Sequence, residues 1–184
     1  MSATTKPPIL TLILISLAIL ASASPVLADW LVWDRAAIAA GQWWRLITGH
    51  FVHFSLRHLI CDALAVGVAG WLIETRAQQS LAFVVLAAAL AIDVTIALMC
   101  PAVRFYGGLS GIAYAMWGYL VVLGIAAGAR AQWASVAILA LLAGKIGLEW
   151  AGGRAMLAGE GFVVLPVVHA AGAICGAAKG VMRS

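Results

Sequence analysis

Charge is scarce in this chain. Asp and Glu number seven and Lys and Arg eleven among 184 residues, so 10% are charged, where soluble domains carry roughly a quarter. A separate water-soluble domain does not fit that composition. No block of like charge occurs either: the formal net charge of +4 is scattered along the chain, which removes the basic patch that nucleic-acid binding requires. Cysteine is equally sparse. Cys61, Cys100 and Cys175 lie within or beside apolar segments, where a free thiol behaves as a small buried hydrophobe, so no disulfide framework is expected. The sequence implies no metal and no cofactor.

What the chain has instead is apolar length. Hydrophobic residues make up 65%, and a helix needs about 20 of them in a row to cross the hydrocarbon core of a bilayer. Runs of that kind, bounded by breaker residues, predict six spans near 9–28, 55–73, 80–99, 110–128, 133–150 and 162–180. The expectation is an all-α membrane protein, one six-helix domain over 1–184 with its partners in or on the lipid bilayer. The first span also has the outline of a signal peptide, with Lys6 ahead of the apolar run and Ala21-Ser22-Ala23 as a small-residue site. Against cleavage, Pro25 to Ala28 prolongs the run to spanning length.

Six spans put both termini on one side. Lys and Arg do not choose which, because Lys6, Arg76, Arg130, Lys179 and Arg183 face Arg35, Arg45, Arg57, Arg104 and Arg154. The linker 29–54 is long and rich in aromatics, with Trp30, Trp33, Trp43, Trp44 and Phe51. It reads as an interfacial anchor lying partly in the membrane.

Polar groups that lipid should exclude mark functional sites facing a bundle interior. They are His53, His58 and Asp62 around the second span, Asp93 in the third, Ser110 heading the fourth, Lys145 and Glu149 in the fifth, and His169 in the sixth. Ser110 stands in Gly107-Gly108-Leu109-Ser110-Gly111, where glycines remove side-chain bulk and let a reactant approach. The soluble hydrolase elbow is excluded, since it needs glycine two residues after the serine and Ile112 stands there. By itself the motif is weak, because Gly and Ser at a helix start more often serve in packing and capping.

His169 changes that balance. Spans four and six run in the same direction, so Ser110 and His169 enter from one face, and a segment dipping in before Ser110 would bring them to similar depth. A serine becomes nucleophilic when an adjacent base takes its proton. Without that serine, a histidine bonded to a backbone carbonyl is the competing reading. Gly172 and Gly176 then share one helical face and permit close approach to span four, which offers Gly111 and Gly118. Tyr114, one turn after Ser110, is placed to stack on the imidazole. Lys145 and Glu149 are four residues apart and pair structurally, although a lysine can also serve as the base of a serine.

Taken together, these residues resemble the rhomboid intramembrane serine proteases. The matching pieces are Trp44-Arg45; His53 and His58 followed by Leu59; Gly108-Leu109-Ser110-Gly111 with Tyr114 and Gly118; and His169 with Gly172 and Gly176. The resemblance implies a Ser110-His169 dyad without an acid, an oxyanion hole formed by His58, the residue at position 62 and the Ser110 amide, and Tyr114 packed on His169. Position 62 holds Asp where the pattern has Asn, and an ionised aspartate cannot donate a hydrogen bond, so the expected species is the neutral acid. Gly41 to His53 and the Lys145 to Glu149 stretch look more like the rhombosortase branch, whereas Ala113-Tyr114-Ala115 looks like general rhomboids.

The rhombosortase branch implies a multi-pass protein of a Gram-negative inner membrane with cytoplasmic termini. Its substrates are membrane-anchored proteins with a Gly-Gly motif, an apolar helix and basic residues at the C-terminus. Two readings of another class remain, a non-catalytic rhomboid-like client binder and a transporter with Asp62, Asp93 and His169 as a proton relay. The first usually lacks the serine or the histidine, and the second leaves the glycine-flanked serine unexplained.

Overall fold

A computed structural model of the protein describes residues 7–77, 81–152 and 165–183. In chain order the elements are α1 (Ile9–Ala21), α2 (Pro25–Leu31), β1 (Trp33–Asp34), α3 (Arg35–Ala39), α4 (Arg45–Thr48), a 3-10 turn (Gly49–Phe51), α5 (Leu56–Ala77), α6 (Leu81–Met99), β2 (Phe105–Tyr106), α7 (Ser110–Ala126), α8 (Ala129–Gly152) and α9 (Pro166–Val181). Helices α5, α6, α7, α8 and α9 match the second to sixth expected spans, and α1 takes the first part of the first. Among the described residues, α5, α6 and α8 are each long and apolar enough to cross a bilayer alone. Lys6, Arg154 and the first residues of the expected sixth span lie outside the described residues.

The first span is shorter than expected. Helix α1 stops at Ala21, and α2 leaves at 115° to it. The cause is local: Pro25 lacks the amide to continue the helix and stands in the first turn of α2, while the Ser24 side chain accepts from the Leu27 amide. At its other end α1 is held by Glu74 of α5, whose carboxylate accepts from the amides of Leu10 at 3.0 Å and Thr11 at 2.8 Å. These are donors a helix N-terminus leaves unpaired.

The aromatic linker carries structure of its own. Arg45 is buried and donates to the carbonyls of Asp29 at 2.7 Å and Val32 at 2.8 Å. Arg35 donates to the carbonyls of Ile96, Cys100 and Val103, each at 2.9 Å, closing the C-terminal end of α6. Strands β1 and β2 pair antiparallel, Trp33 opposite Tyr106 and Asp34 opposite Phe105. That pairing fastens the linker to the segment that leads into Ser110.

Helix α7 is the centre of the bundle. Along it Gly111 to Met116, Gly118, Tyr119 and Val121 are buried, and a helix apolar and buried all round lies inside a larger assembly. Its 17 residues make about 25 Å of helix, and it begins at Ser110. Helix α9 lies directly on it: a Cβ added at Gly172 or Gly176 would overlap the carbonyl oxygen of Gly111 or Ala115. Only backbones without side chains can approach so closely. Helix α8 contrasts with both, its buried residues being Ser135 and Glu149.

Candidate active site

Four segments converge on one point. The loop between β2 and α7 contains Gly108, whose φ of +117° few other residues adopt. A Cβ there would lie 2.6 Å from His58 Cε1 and 2.8 Å from Nε2. Glycine therefore lets the chain pass against the His58 ring and turn into α7. Ser110 follows as the first residue of that helix, where backbone amides have no partner within the helix and the dipole favours negative charge.

His169, one turn into α9, faces Ser110 across the α7–α9 contact. Its Nε2 lies 3.0 Å from Ser110 Oγ. The Tyr114 ring stacks on the imidazole with centroids 4.5 Å apart and planes 13° apart. The second ring nitrogen, Nδ1, lies 2.9 Å from Glu149 Oε2 on α8, and Lys145 Nζ donates to the other oxygen, Oε1, at 2.5 Å. The resemblance implied a dyad without an acid; here the histidine has a carboxylate partner. Sequence reading paired Glu149 with Lys145 alone. The available signal was a second acceptor oxygen on a carboxylate buried mid-span, which needs a donor of its own.

His53, His58 and Asp62 form the opposite wall. Asp62 Oδ2 is 3.1 Å from His53 Nε2 and 3.3 Å from His58 Nε2. The ring of His53 can be assigned by its partners. Nδ1 stands 3.0 Å from the Phe51 carbonyl, which only accepts, so Nδ1 carries hydrogen. The Leu109 amide approaches Nε2 from 3.4 Å, farther away than the Asp62 oxygen at 3.1 Å. Nitrogen and carboxylate oxygen are both acceptors unless protonated, so one proton lies between His53 Nε2 and Asp62 Oδ2 and is shared by the pair. Among the described residues these three side chains are also the one trio of metal-binding type, with ligand atoms within 4.8 Å. The shared proton and hydrogen bonds account for the contacts.

The sequence from 40 to 184 matches the Rhomboid domain. The chain belongs to the rhomboid family. Two similar curated proteins are both named rhomboid protease GlpG. That of Salmonella choleraesuis (strain SC-B67) is 32% identical over 101 residues, 52% of this chain and 34% of its own length. That of Salmonella newport (strain SL254) is 32% identical over 97 residues, with the same coverage. This rhomboid thus aligns over about a third of those relatives.

Asp93, unassigned from sequence, faces His50 in this rhomboid, with 3.5 Å between Oδ1 and Nε2. His50 is buried and meets the Tyr106 ring edge-on at 5.7 Å. The pair sits beneath the β1–β2 contact and supports the loop that delivers Gly108. Sequence reading did not single out His50 as polar and buried, because it lies in the linker and outside any predicted span.

Proposed function

We propose that this rhomboid is an intramembrane serine endopeptidase. The observation that carries the proposal is the 3.0 Å contact between Ser110 Oγ and His169 Nε2 at the half-buried start of α7. Ser110 Oγ attacks a substrate carbonyl carbon while His169 Nε2 takes its proton. The tetrahedral oxyanion forms beside the Ser110 amide, with His58 and Asp62 lining the hole. The intermediate collapses, His169 gives the proton to the leaving amine, and the acyl group stays on Ser110. Water then attacks the ester by the same route in reverse, releasing the new C-terminus and restoring the serine.

The substrates are membrane-anchored proteins, and the setting is the inner membrane of a Gram-negative bacterium with both termini cytoplasmic. The Gly41 to His53 wording supports C-terminal Gly-Gly anchors as substrates. A second reading, cleavage of general single-span proteins, draws on Ala113-Tyr114-Ala115 and on the name of the relatives, rhomboid protease. Co-expression with a tagged Gly-Gly-anchored protein and with a generic single-span substrate separates the two. Shortening of the first alone, lost in Ser110→Ala, is expected; shortening of the second alone gives the general reading, and shortening of neither refutes both.

The shared proton at Asp62 has a kinetic consequence. A bare carboxylate about 4 Å from the oxyanion would raise the barrier by about 4 kcal/mol at an effective dielectric near 20, roughly a thousandfold in rate. The proton shared with His53 removes that charge. His53→Leu is therefore expected to lower kcat/KM by about 10² to 10³-fold, and adding Asp62→Asn should restore a large part of it. Steady-state kinetics on the two variants checks this; a double variant no faster than His53→Leu would show that charge at Asp62 is not the cause.

A further inference from the structure

We infer that Glu149 is a positioning residue for the reaction, holding His169 in the one tautomer that can accept the Ser110 proton, and that Lys145 in turn holds Glu149. The inference rests on the serine-protease reading above. It starts from a continuous line of polar atoms: Lys145 Nζ to Glu149 Oε1 at 2.5 Å, Glu149 Oε2 to His169 Nδ1 at 2.9 Å, and His169 Nε2 to Ser110 Oγ at 3.0 Å. Each contact uses a different atom, so none competes with another.

The chemistry follows from what each atom can do. An ionised carboxylate only accepts, so His169 Nδ1 must carry the hydrogen in the contact with Glu149. A neutral imidazole then has its lone pair on Nε2, the nitrogen that faces Ser110. Without the carboxylate both tautomers are open to the ring, and in one of them Nε2 is protonated and useless as a base. Charge is also balanced through the step. Before reaction, Lys145 and Glu149 cancel and His169 is neutral. When the proton moves, the new imidazolium lies against the Glu149 carboxylate while the oxyanion forms on the far side of Ser110.

Two further observations separate this arrangement from an incidental surface ion pair. Glu149 is 2% exposed, and a carboxylate so deeply buried is retained only where its oxygens are satisfied. Lys145, with a side chain one quarter exposed, supplies the cation from the accessible side. Its ammonium also stands 5.3 Å over the Tyr114 ring, the ring that stacks on His169. Lys145 and Tyr114 therefore secure the same imidazole through different partners. A lysine and a glutamate four apart on an exposed helix would pair through one oxygen and leave the other to solvent. Here the other oxygen reaches across to α9.

A role in merely tying α8 to α9 is distinguishable from positioning. Helix α8 buries only Ser135 and Glu149, and glutamine keeps the shape of the Glu149 side chain, so Glu149→Gln is expected to fold. The test uses the full-length protein in liposomes with a substrate the parent cleaves, measuring kcat, KM, thermal midpoint and the rate of reaction with a fluorophosphonate. Glu149→Gln is expected to lower kcat and the fluorophosphonate rate by about 10² to 10⁴-fold, with KM and midpoint little changed, and Glu149→Asp to recover part of the loss. Lys145→Met should lower kcat about tenfold in the parent and not at all in the Glu149→Gln background, as residues acting as a unit are non-additive. Parental kcat in Glu149→Gln beside an inactive Ser110→Ala would overturn this inference alone, as would a loss that follows the melting temperature. Full activity in Ser110→Ala would remove the serine-protease reading and this inference with it.

Discussion

Ser110→Ala and His169→Ala are each expected to reduce cleavage by about 10⁴-fold or more, and the double variant to be scarcely worse than either. Both side chains act in one proton transfer. Removing the hydroxyl leaves no nucleophile on the enzyme, and removing the ring leaves a serine whose proton has nowhere to go within 3.0 Å. Neither change should unfold the protein. Ser110 occupies the first turn of α7, and the His169 ring packs on Tyr114 at the margin of the α7–α9 contact. Loss of activity with unchanged melting, in the purified protein with one substrate, is the expected pattern.

Gly172→Val should act through shape. A Cβ at Gly172 would overlap the Gly111 carbonyl, and the next turn of α9 is held as closely, Gly176 against Ala115. Valine adds three carbons where there is no room for one, so α9 must move off α7. Overpacking of this sort costs typically 1 to 3 kcal/mol and sometimes more. It also displaces His169, three residues earlier on the same helix, so melting temperature and kcat should fall together. Gly144→Val on α8 is the control. Among the described residues nothing lies within 4 Å of a Cβ there, and both quantities should stay at the parental value.

The sequence made the bundle legible because its signals are strong and local. Apolar runs bounded by breakers marked six helices. Ser110 and His169 stood out as polar groups in segments that lipid should strip of them, and the Gly172–Gly176 spacing named the face that meets α7. What escaped were pairings between distant segments. Glu149 had a partner four residues away on its own helix, and that local explanation concealed the contact with His169, 20 residues on. The pattern suggested Asp62 as a free donor to the oxyanion, yet its Oδ2 lies between two histidines, one of them in the loop before α5. Asp93 and His50 meet only because the linker folds back under β2. The break after Ala21 was written locally in Ser24-Pro25, but continuous hydrophobicity outweighed it.

The most direct test of the central claim needs no knowledge of the substrate. The purified protein in liposomes is treated with a fluorophosphonate, digested and mapped by mass spectrometry. Expected is a single phosphonyl adduct on the peptide carrying Ser110, absent from Ser110→Ala and strongly reduced in His169→Ala. An adduct on another residue with Ser110 unmodified, or equal labelling in His169→Ala, would contradict a serine activated by that histidine.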